Sequence, residues 1–109
     1  MIRGEIWIGA ARGDYLQKPR PVVVVQSDLL AGLQSVLVAP VTTTDPGASP
    51  FRPVLEATDA TGLEARSWVM ADKTMAVPRL RLIRRIGACT PGNLVQIENA
   101  LLIVMGLRL

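Results

Sequence analysis

The chain has 109 residues, which is long enough for one domain with a core of its own. It has a net charge of +3, one cysteine and no histidine. This composition excludes a histidine-based catalytic mechanism, a zinc site of the usual kind and an internal disulfide. No segment has the roughly 20 apolar residues that cross a bilayer, and the N-terminus lacks the apolar region of a signal peptide, so we expect a cytoplasmic protein.

The N-terminal segments predict two strands joined by a polar loop. The stretch GEIWIGAA (4–11) alternates polar and apolar side chains as far as Ile8, which is typical of a half-exposed strand. The polar segment ARGDYLQK (11–18) indicates a loop. The run PVVVVQ (21–26) is short, apolar and β-branched, which favours a central strand covered on both faces.

The next segments predict a third strand between two turns. SDLLAG (27–32) indicates a turn or a short helical stretch, and LQSVLVAPVT (33–42) alternates again, as a strand does. Pro40 lacks a backbone donor, so we expect a sheet edge or a bulge at that residue. TTTDPGASP (42–50) contains Asp-Pro-Gly, which is a strong turn signal.

The second half predicts further strands and one helix. FRPVLEA (51–57) and RSWVMAD (66–72) indicate strands, and RLRLIRRIG (79–87) indicates a strand, or a short helix followed by a strand. Thr90 can cap the final helix, Pro91 suits its first position, and Gly106 ends it. The apolar residues of one helix face are Leu94, Ile97, Leu101 and Val104.

Taken together, these elements predict one domain, residues 1–109, that is mainly β with α: an antiparallel sheet and a C-terminal helix. Basic side chains concentrate late in the chain, because residues 73–97 contain no acid and five basic residues, which are Lys73, Arg79, Arg81, Arg84 and Arg85. Such a patch suits a phosphate backbone or an acidic protein segment, and it is equally typical of a solvated strand face.

One short stretch, KPRPVVVVQSD (18–28), fixes a charge at the start of a buried strand. Arg20 lies between two prolines, which stiffen the chain on both sides. Strands joined by a short connection usually pair antiparallel, so the start of this strand should lie beside the end of the next, with Arg20 close to Thr42. A guanidinium beside a hydroxyl can hold an oxyanion or a phosphate. The alternative is a stabilising ion pair between Arg20 and Asp28 or Asp72.

Five segments, in this order along the chain, resemble the MazF/PemK family of toxins from bacterial toxin–antitoxin pairs. They are RGEIW (3–7), RPVVVVQSD (20–28), VAPVTTT (38–44), SPFRPVLE (49–56) and RRIGACTPGNLVQIENAL (84–101). The resemblance implies an α+β fold, a small SH3-like or CcdB-like barrel of antiparallel strands with a C-terminal helix, that works as a homodimer.

The resemblance also implies a function. Family members are sequence-specific endoribonucleases that cut single-stranded RNA without a metal or another cofactor, through attack of the RNA 2′-OH. The products are a 2′,3′-cyclic phosphate and a 5′-OH. The catalytic pair of the family falls on Arg20 and Thr42. The residues expected to contact RNA are Tyr15, Gln17, Lys18, Thr43, Thr44, Arg52 and Lys73.

The expected partners are single-stranded RNA and a cognate antitoxin whose acidic, partly disordered tail lies across the basic groove. The loop segment GDYLQ (13–17) departs from the Gly-Ser-Glu-Gln run common in the family, and Lys73 stands where a glutamine is frequent, so the preferred RNA sequence stays open. A second function class is a CcdB-like toxin, which has the same fold, binds DNA gyrase and cuts nothing. The pair of Arg20 and Thr42 favours the nuclease. A third is an inactive relative that only binds an antitoxin-like peptide.

Overall fold

A computed structural model describes residues 1–10 and 18–107, which form seven strands, one α-helix and three 3₁₀ turns. The strands are β1 (Glu5–Gly9), β2 (Arg20–Val24), β3 (Ser35–Thr42), β4 (Val54–Leu55), β5 (Ser67–Val69), β6 (Met75–Pro78) and β7 (Leu82–Ala88). The 3₁₀ turns are Asp28–Leu30, Ala71–Lys73 and Arg79–Arg81, and the helix α1 is Pro91–Val104.

The strands form a curled antiparallel sheet in the order β4-β5-β3-β2-β1-β7, and β6 pairs with the first half of β3. This sheet and its C-terminal helix confirm the predicted α+β architecture. The strand β6 is absent from the sequence-based prediction. The predicted strands in 51–57 and 66–72 are confirmed, although β4 and β5 are shorter, and 79–87 is a 3₁₀ turn followed by a strand.

Pro40 lies inside β3 rather than at the outer edge of the sheet: it pairs with Val22 of β2 on one side, and the ladder is interrupted on its other side. β3 pairs with β6 through Ser35–Val38 and with β5 through Val41–Thr42, and Pro40 falls between these two partners. Its carbonyl accepts a hydrogen bond from Met70 N at 2.8 Å across this gap. Because a residue's N and C=O point to the same side of a strand, the missing donor of Pro40 also faces the gap, where no ladder partner requires it.

Both faces of the sheet are buried, and β2 contributes to each. Val23 belongs to a cluster that includes Ile6, Leu55 and Ile97 of the helix. Val22 and Val24 point the other way, into a second cluster. The other buried members of that cluster are Val36, Val38, Val77 and Leu82. The prediction of a central strand covered on both faces is therefore confirmed.

The helix begins as predicted. Thr90 Oγ1 accepts a hydrogen bond from Asn93 N at 3.1 Å, and Asn93 Oδ1 accepts one from Thr90 N at 2.9 Å, which caps the first turn reciprocally. Ile97 is buried, whereas Val104, expected on the packed face, is exposed. No helix in residues 1–10 or 18–107 has the length and apolar character that a bilayer span needs.

Candidate nucleic-acid interface

Arg20 and Thr42 lie at the same end and on the same face of two paired strands. Val22 is the direct partner of Pro40 between β2 and β3. Continuing this register by two residues places Arg20, the first residue of β2, opposite Thr42, the last residue of β3. Because side chains alternate along a strand, Arg20 shares the face of Val22 and Thr42 shares that of Pro40. The strand register therefore agrees with the prediction, made from strand order, that the two residues lie at one end of the sheet.

The hydrogen bonding of Thr42 leaves its proton available. Thr42 Oγ1 accepts a hydrogen bond from Thr44 N at 3.1 Å, so the hydroxyl is oriented by the turn that follows β3. Thr42 is half-buried and Thr44 is exposed. A hydroxyl whose acceptor side is occupied by the protein can still donate to a ligand.

Arg20 is exposed, and its guanidinium forms no ion pair with the residues that the structure describes. Asp28 instead accepts a hydrogen bond from Arg3 N at 2.8 Å, and Asp72 pairs with Arg52. The alternative of a stabilising ion pair between Arg20 and one of these two carboxylates is therefore wrong. The charge of Arg20 faces solvent at the end of the sheet.

A second group of charges lies on the other side of β3. Asp72 accepts two hydrogen bonds from Arg52, from Nε at 3.0 Å and from Nη2 at 2.9 Å, and Lys73 Nζ lies 3.9 Å from Asp72 Oδ2. The hydrogen bonds from Arg52 lower the pKa of Asp72 below its ordinary value. The bond from Met70 N to Pro40 O places this 3₁₀ turn directly beside β3. Arg52 thus ties the loop before β4 to the turn before β6.

The other residues expected to contact RNA are placed as follows. Thr43 and Thr44 are exposed directly after β3, and Lys18 is exposed two residues before Arg20, so all three lie at the same end of the sheet. Tyr15 and Gln17 lie outside the described residues. Within the ranges 1–10 and 18–107, no three His, Cys, Asp or Glu side chains are grouped so that they could hold a metal ion.

A cleft of about 630 Å³ opens at the end of the sheet that carries Arg20 and Thr42. It starts at their chain neighbours, because Pro19, Pro21 and Thr43 line it. Its far side is formed by β7 and by the segment from Gly62 to Ala65. The β7 residues that line it are Arg84, Arg85 and Ile86, and the remaining lining residues are Ile8 and Ser67.

The far wall of this cleft is held against β7 by two glycines. Gly62 has φ +68°, and a Cβ on it would lie 1.9 Å from Ile86 O. A Cβ on Gly87 would lie 2.2 Å from Thr61 O. The buried Thr61 Oγ1 donates to Glu56 O at 2.8 Å, which closes the preceding turn. Only glycine permits this approach of two backbones, so the position of the wall is fixed by the sequence.

The late basic segment divides into structural and exposed residues. Arg79 donates to the carbonyls of Ala31 and Leu33, and Arg85 Nε lies 3.0 Å from Glu5 Oε2. Arg81 and Arg84 are exposed, and their guanidinium groups have no ion-pair partner in the described part of the chain.

Glu5, the ion-pair partner of Arg85, is held as a carboxylate. Partial burial would raise its pKa, but hydrogen bonds from Ile2 N and Trp7 Nε1, together with the N-terminal ammonium and Arg85, lower the pKa below its ordinary value. Glu5 therefore fixes the guanidinium of Arg85.

Sequence reasoning did not single out Glu64, Asp72 or Arg84 individually as functional residues. For Arg84 a signal existed, because it belongs to the acid-free basic segment. The sequence contains no such signal for Glu64, because its position in the cleft wall depends on the contact between a loop and a strand that are distant in sequence.

Comparison with known proteins finds relatives over almost the whole chain. Residues 2–105 match the model of a family described as PemK-like, MazF-like toxin of type II toxin-antitoxin system. The chain is 43% identical over 107 residues to a protein of Mycolicibacterium smegmatis named Probable endoribonuclease MazF, and the match covers 98% of each. It is 34% identical to Endoribonuclease MazF9 of Mycobacterium tuberculosis, over 93% of this chain and 92% of that protein. The solved structure of Mycobacterium tuberculosis toxin MazF-mt6 superposes with a TM-score of 0.82 at 27% identity, over 96% of this chain and 99% of that one.

Proposed function

The chain belongs to the family of PemK-like, MazF-like toxins of type II toxin–antitoxin systems, and from this we propose that it is a sequence-specific endoribonuclease that cuts single-stranded RNA without a metal ion. The observation that carries the proposal is the position of Arg20 and Thr42, which share one face at one end of two paired strands and are both accessible. Two relatives that carry the name endoribonuclease support it.

In the proposed reaction RNA supplies its own nucleophile. The 2′-oxygen beside the scissile phosphate attacks phosphorus, the P–O2′ bond forms and the P–O5′ bond breaks. One proton leaves the 2′-OH and one arrives on the departing 5′-oxygen, so the step balances without an added water. The products are a 2′,3′-cyclic phosphate and a 5′-OH. The protein has to align the phosphate and stabilise the negative charge that grows on its nonbridging oxygens.

Arg20 and Thr42 suit this task by their chemistry. The Arg20 guanidinium can donate two parallel hydrogen bonds to nonbridging oxygens. Thr42 can add a third donor, because its oxygen already accepts the bond from Thr44 N. One preorganised donor of this kind contributes about 10²–10³-fold in rate. We assign Arg20 an electrostatic role, since a guanidinium offers only N–H donors and has no acceptor with which to take up a proton.

The metal-free character rests on the side chains available. The sequence contains no histidine, and in the described residues the acids are not grouped as metal ligands. Charge stabilisation in the proposed reaction therefore comes from arginine and hydroxyl groups. The flanking cations, Lys18 on one side and the group of Arg52 and Lys73 on the other, would attract the RNA backbone and make binding weaken with salt.

An antitoxin is the second proposed partner. The family description names a toxin–antitoxin system, and an acidic, partly disordered segment would complement the exposed arginines at the site and compete with RNA for them. The homodimer and the cytoplasmic location stay predictions.

The test is cleavage of one long single-stranded RNA in EDTA, with the 5′-OH ends mapped. We expect discrete fragments from the wild type and loss of most activity in Arg20→Lys, because a lysine cannot donate the two parallel hydrogen bonds. Arg3→Lys is the matched control: Arg3 pairs with Glu98 at 2.6 Å, and Arg3 precedes β1, at the opposite end from Arg20. Intact RNA together with stalled DNA gyrase would instead favour the CcdB-like function, and full cleavage by Arg20→Lys would remove Arg20 from its role.

A further inference from the structure

We infer that the cleft lined by Pro19, Pro21, Glu64 and Arg84 binds one nucleobase of the RNA strand, next to the phosphate that is cut, and that it selects which base is accepted there. This inference rests on the proposed nuclease function. It adds a specificity site on the side of the sheet that faces away from the Arg20 and Thr42 side chains.

The position of the cleft follows from strand alternation. Pro19 and Pro21 flank Arg20, and Thr43 follows Thr42, so the cleft begins one residue away from each member of the phosphate-binding pair. Successive side chains point to opposite faces, which puts the cleft and the pair on the two sides of one sheet end. An RNA strand that crosses this end can leave its phosphate on one side and turn the adjacent base into the cleft. Single-stranded RNA is usually recognised in this manner, with unstacked bases splayed out.

The lining matches a base rather than a phosphate. Pro19, Pro21 and Ile8 give the lining an apolar part on which a ring can lie, and the other lining residues include both basic and acidic side chains. Arg84 has no ion-pair partner among the described residues and offers several N–H donors, whereas the Glu64 carboxylate only accepts. Base edges present donors and acceptors side by side, so a cation and an acid together can discriminate between bases.

The cleft is preorganised, as a specificity site has to be. Its wall from Gly62 to Ala65 cannot move relative to β7 without breaking the close approach at Gly62 and Gly87. Ala88 N also donates to Ala60 O at 2.9 Å. Ser67 is buried, and its hydroxyl donates to Ala65 O at 2.8 Å, which fixes the other end of the wall. The volume of about 630 Å³ is typical of a site for one small ligand.

The first test compares cleavage of an RNA library by the wild type, Arg84→Ala and Glu64→Gln. We expect discrimination between bases at one position beside the cut to fall by about 10- to 100-fold. Arg84 and Glu64 are exposed, so the urea unfolding midpoint should not change. Arg81→Ala is the matched control, because Arg81 is an exposed arginine that does not line the cleft and its loss should slow all sequences alike.

An unchanged sequence preference in both variants would overturn the inference. If Arg84→Ala slowed the cleavage of all sequences alike, as expected for Arg81→Ala, the cleft would serve phosphate contact and the inference would be overturned. If the variants lost dimerisation or antitoxin binding but kept their sequence preference, the cleft would serve protein contact, which would overturn it too. A second measurement needs no cleavage: the four nucleoside monophosphates are titrated and the amide chemical shifts of Gly62 and Ala65 followed. We expect one base to shift them at the lowest concentration, and equal or absent shifts would refute base binding. If the wild type cut no RNA, the proposed function would fail, while this titration would still decide whether the cleft takes a base.

Discussion

The substitution Thr42→Val tests whether the Thr42 hydroxyl acts in catalysis or only stabilises the fold. Valine has nearly the shape of threonine, so the change removes the Oγ1 atom and little else. In the fold that atom accepts one hydrogen bond, from Thr44 N at 3.1 Å. Thr44 is exposed, so water can replace the lost acceptor, and we expect the free energy of unfolding to fall by less than about 1 kcal/mol.

The expected effect on catalysis is much larger. If the Thr42 hydroxyl donates to the phosphate only in the transition state, its removal should lower kcat by about 10²–10³-fold, which corresponds to roughly 3–4 kcal/mol. The two magnitudes differ enough to be told apart. Steady-state cleavage of a fluorescent RNA oligonucleotide measures kcat, and urea unfolding measures stability. Thr42→Ser keeps the hydroxyl and should keep most of the activity. Wild-type kcat in Thr42→Val, or equal inactivity of both variants, would refute the assigned role.

Three further predictions concern stability and reactivity. Asp72→Asn should lower stability by about 1 kcal/mol through loss of the ion pair with Arg52. The pKa of Asp72 is lowered from its ordinary 3.8, so the difference in stability between the wild type and the variant should be constant above pH 3.8 and disappear as the pH falls through the lowered pKa. A difference in stability that persisted in acid would contradict the ion pair. Gly62→Ala should cost about 2–4 kcal/mol, since its Cβ would meet a backbone oxygen at 1.9 Å. The control Gly47→Ala, with φ +73° and no atom within 4 Å, should cost only about 1 kcal/mol; equal losses would count against the close approach. Burial raises the pKa of Cys89 to about 11 from 9.0, so the native thiol should react with iodoacetamide at pH 8 about 100-fold more slowly than an ordinary cysteine, and unfolding in urea should abolish this protection.

The parts of this molecule that sequence predicts are those set by local pattern. The valine run of β2 and the capped helix α1 follow from periodicity and end signals that involve only neighbouring residues. The placement of Arg20 and Thr42 at one end of the sheet follows from the rule that sequential strands lie side by side. Each of these inferences needs contacts over a short stretch of chain.

The parts that sequence does not predict depend on distant contacts. β6 is four residues long and ends in Pro78, so its pattern is too short to stand out, and it is a strand only because β3 offers it an edge. The bidentate pairing of Arg52 with Asp72 requires the loop before β4 to reach the turn before β6. Local propensity carries no information about contacts between segments that are distant in sequence, because tertiary packing determines those contacts.

The pairing of β1 with β7 determines when this sheet can close during synthesis. Glu5 lies opposite Ala88, so a nascent chain on the ribosome holds β1 as an open edge until residue 88 has emerged. The segment around Gly62 docks on the same late strand, and the helix that covers one core follows it. Translation products that stop earlier lack one wall of the cleft and the cover of the core. The sheet therefore closes, and the helix covers this core, only after the residues of β7 and α1 have left the ribosome.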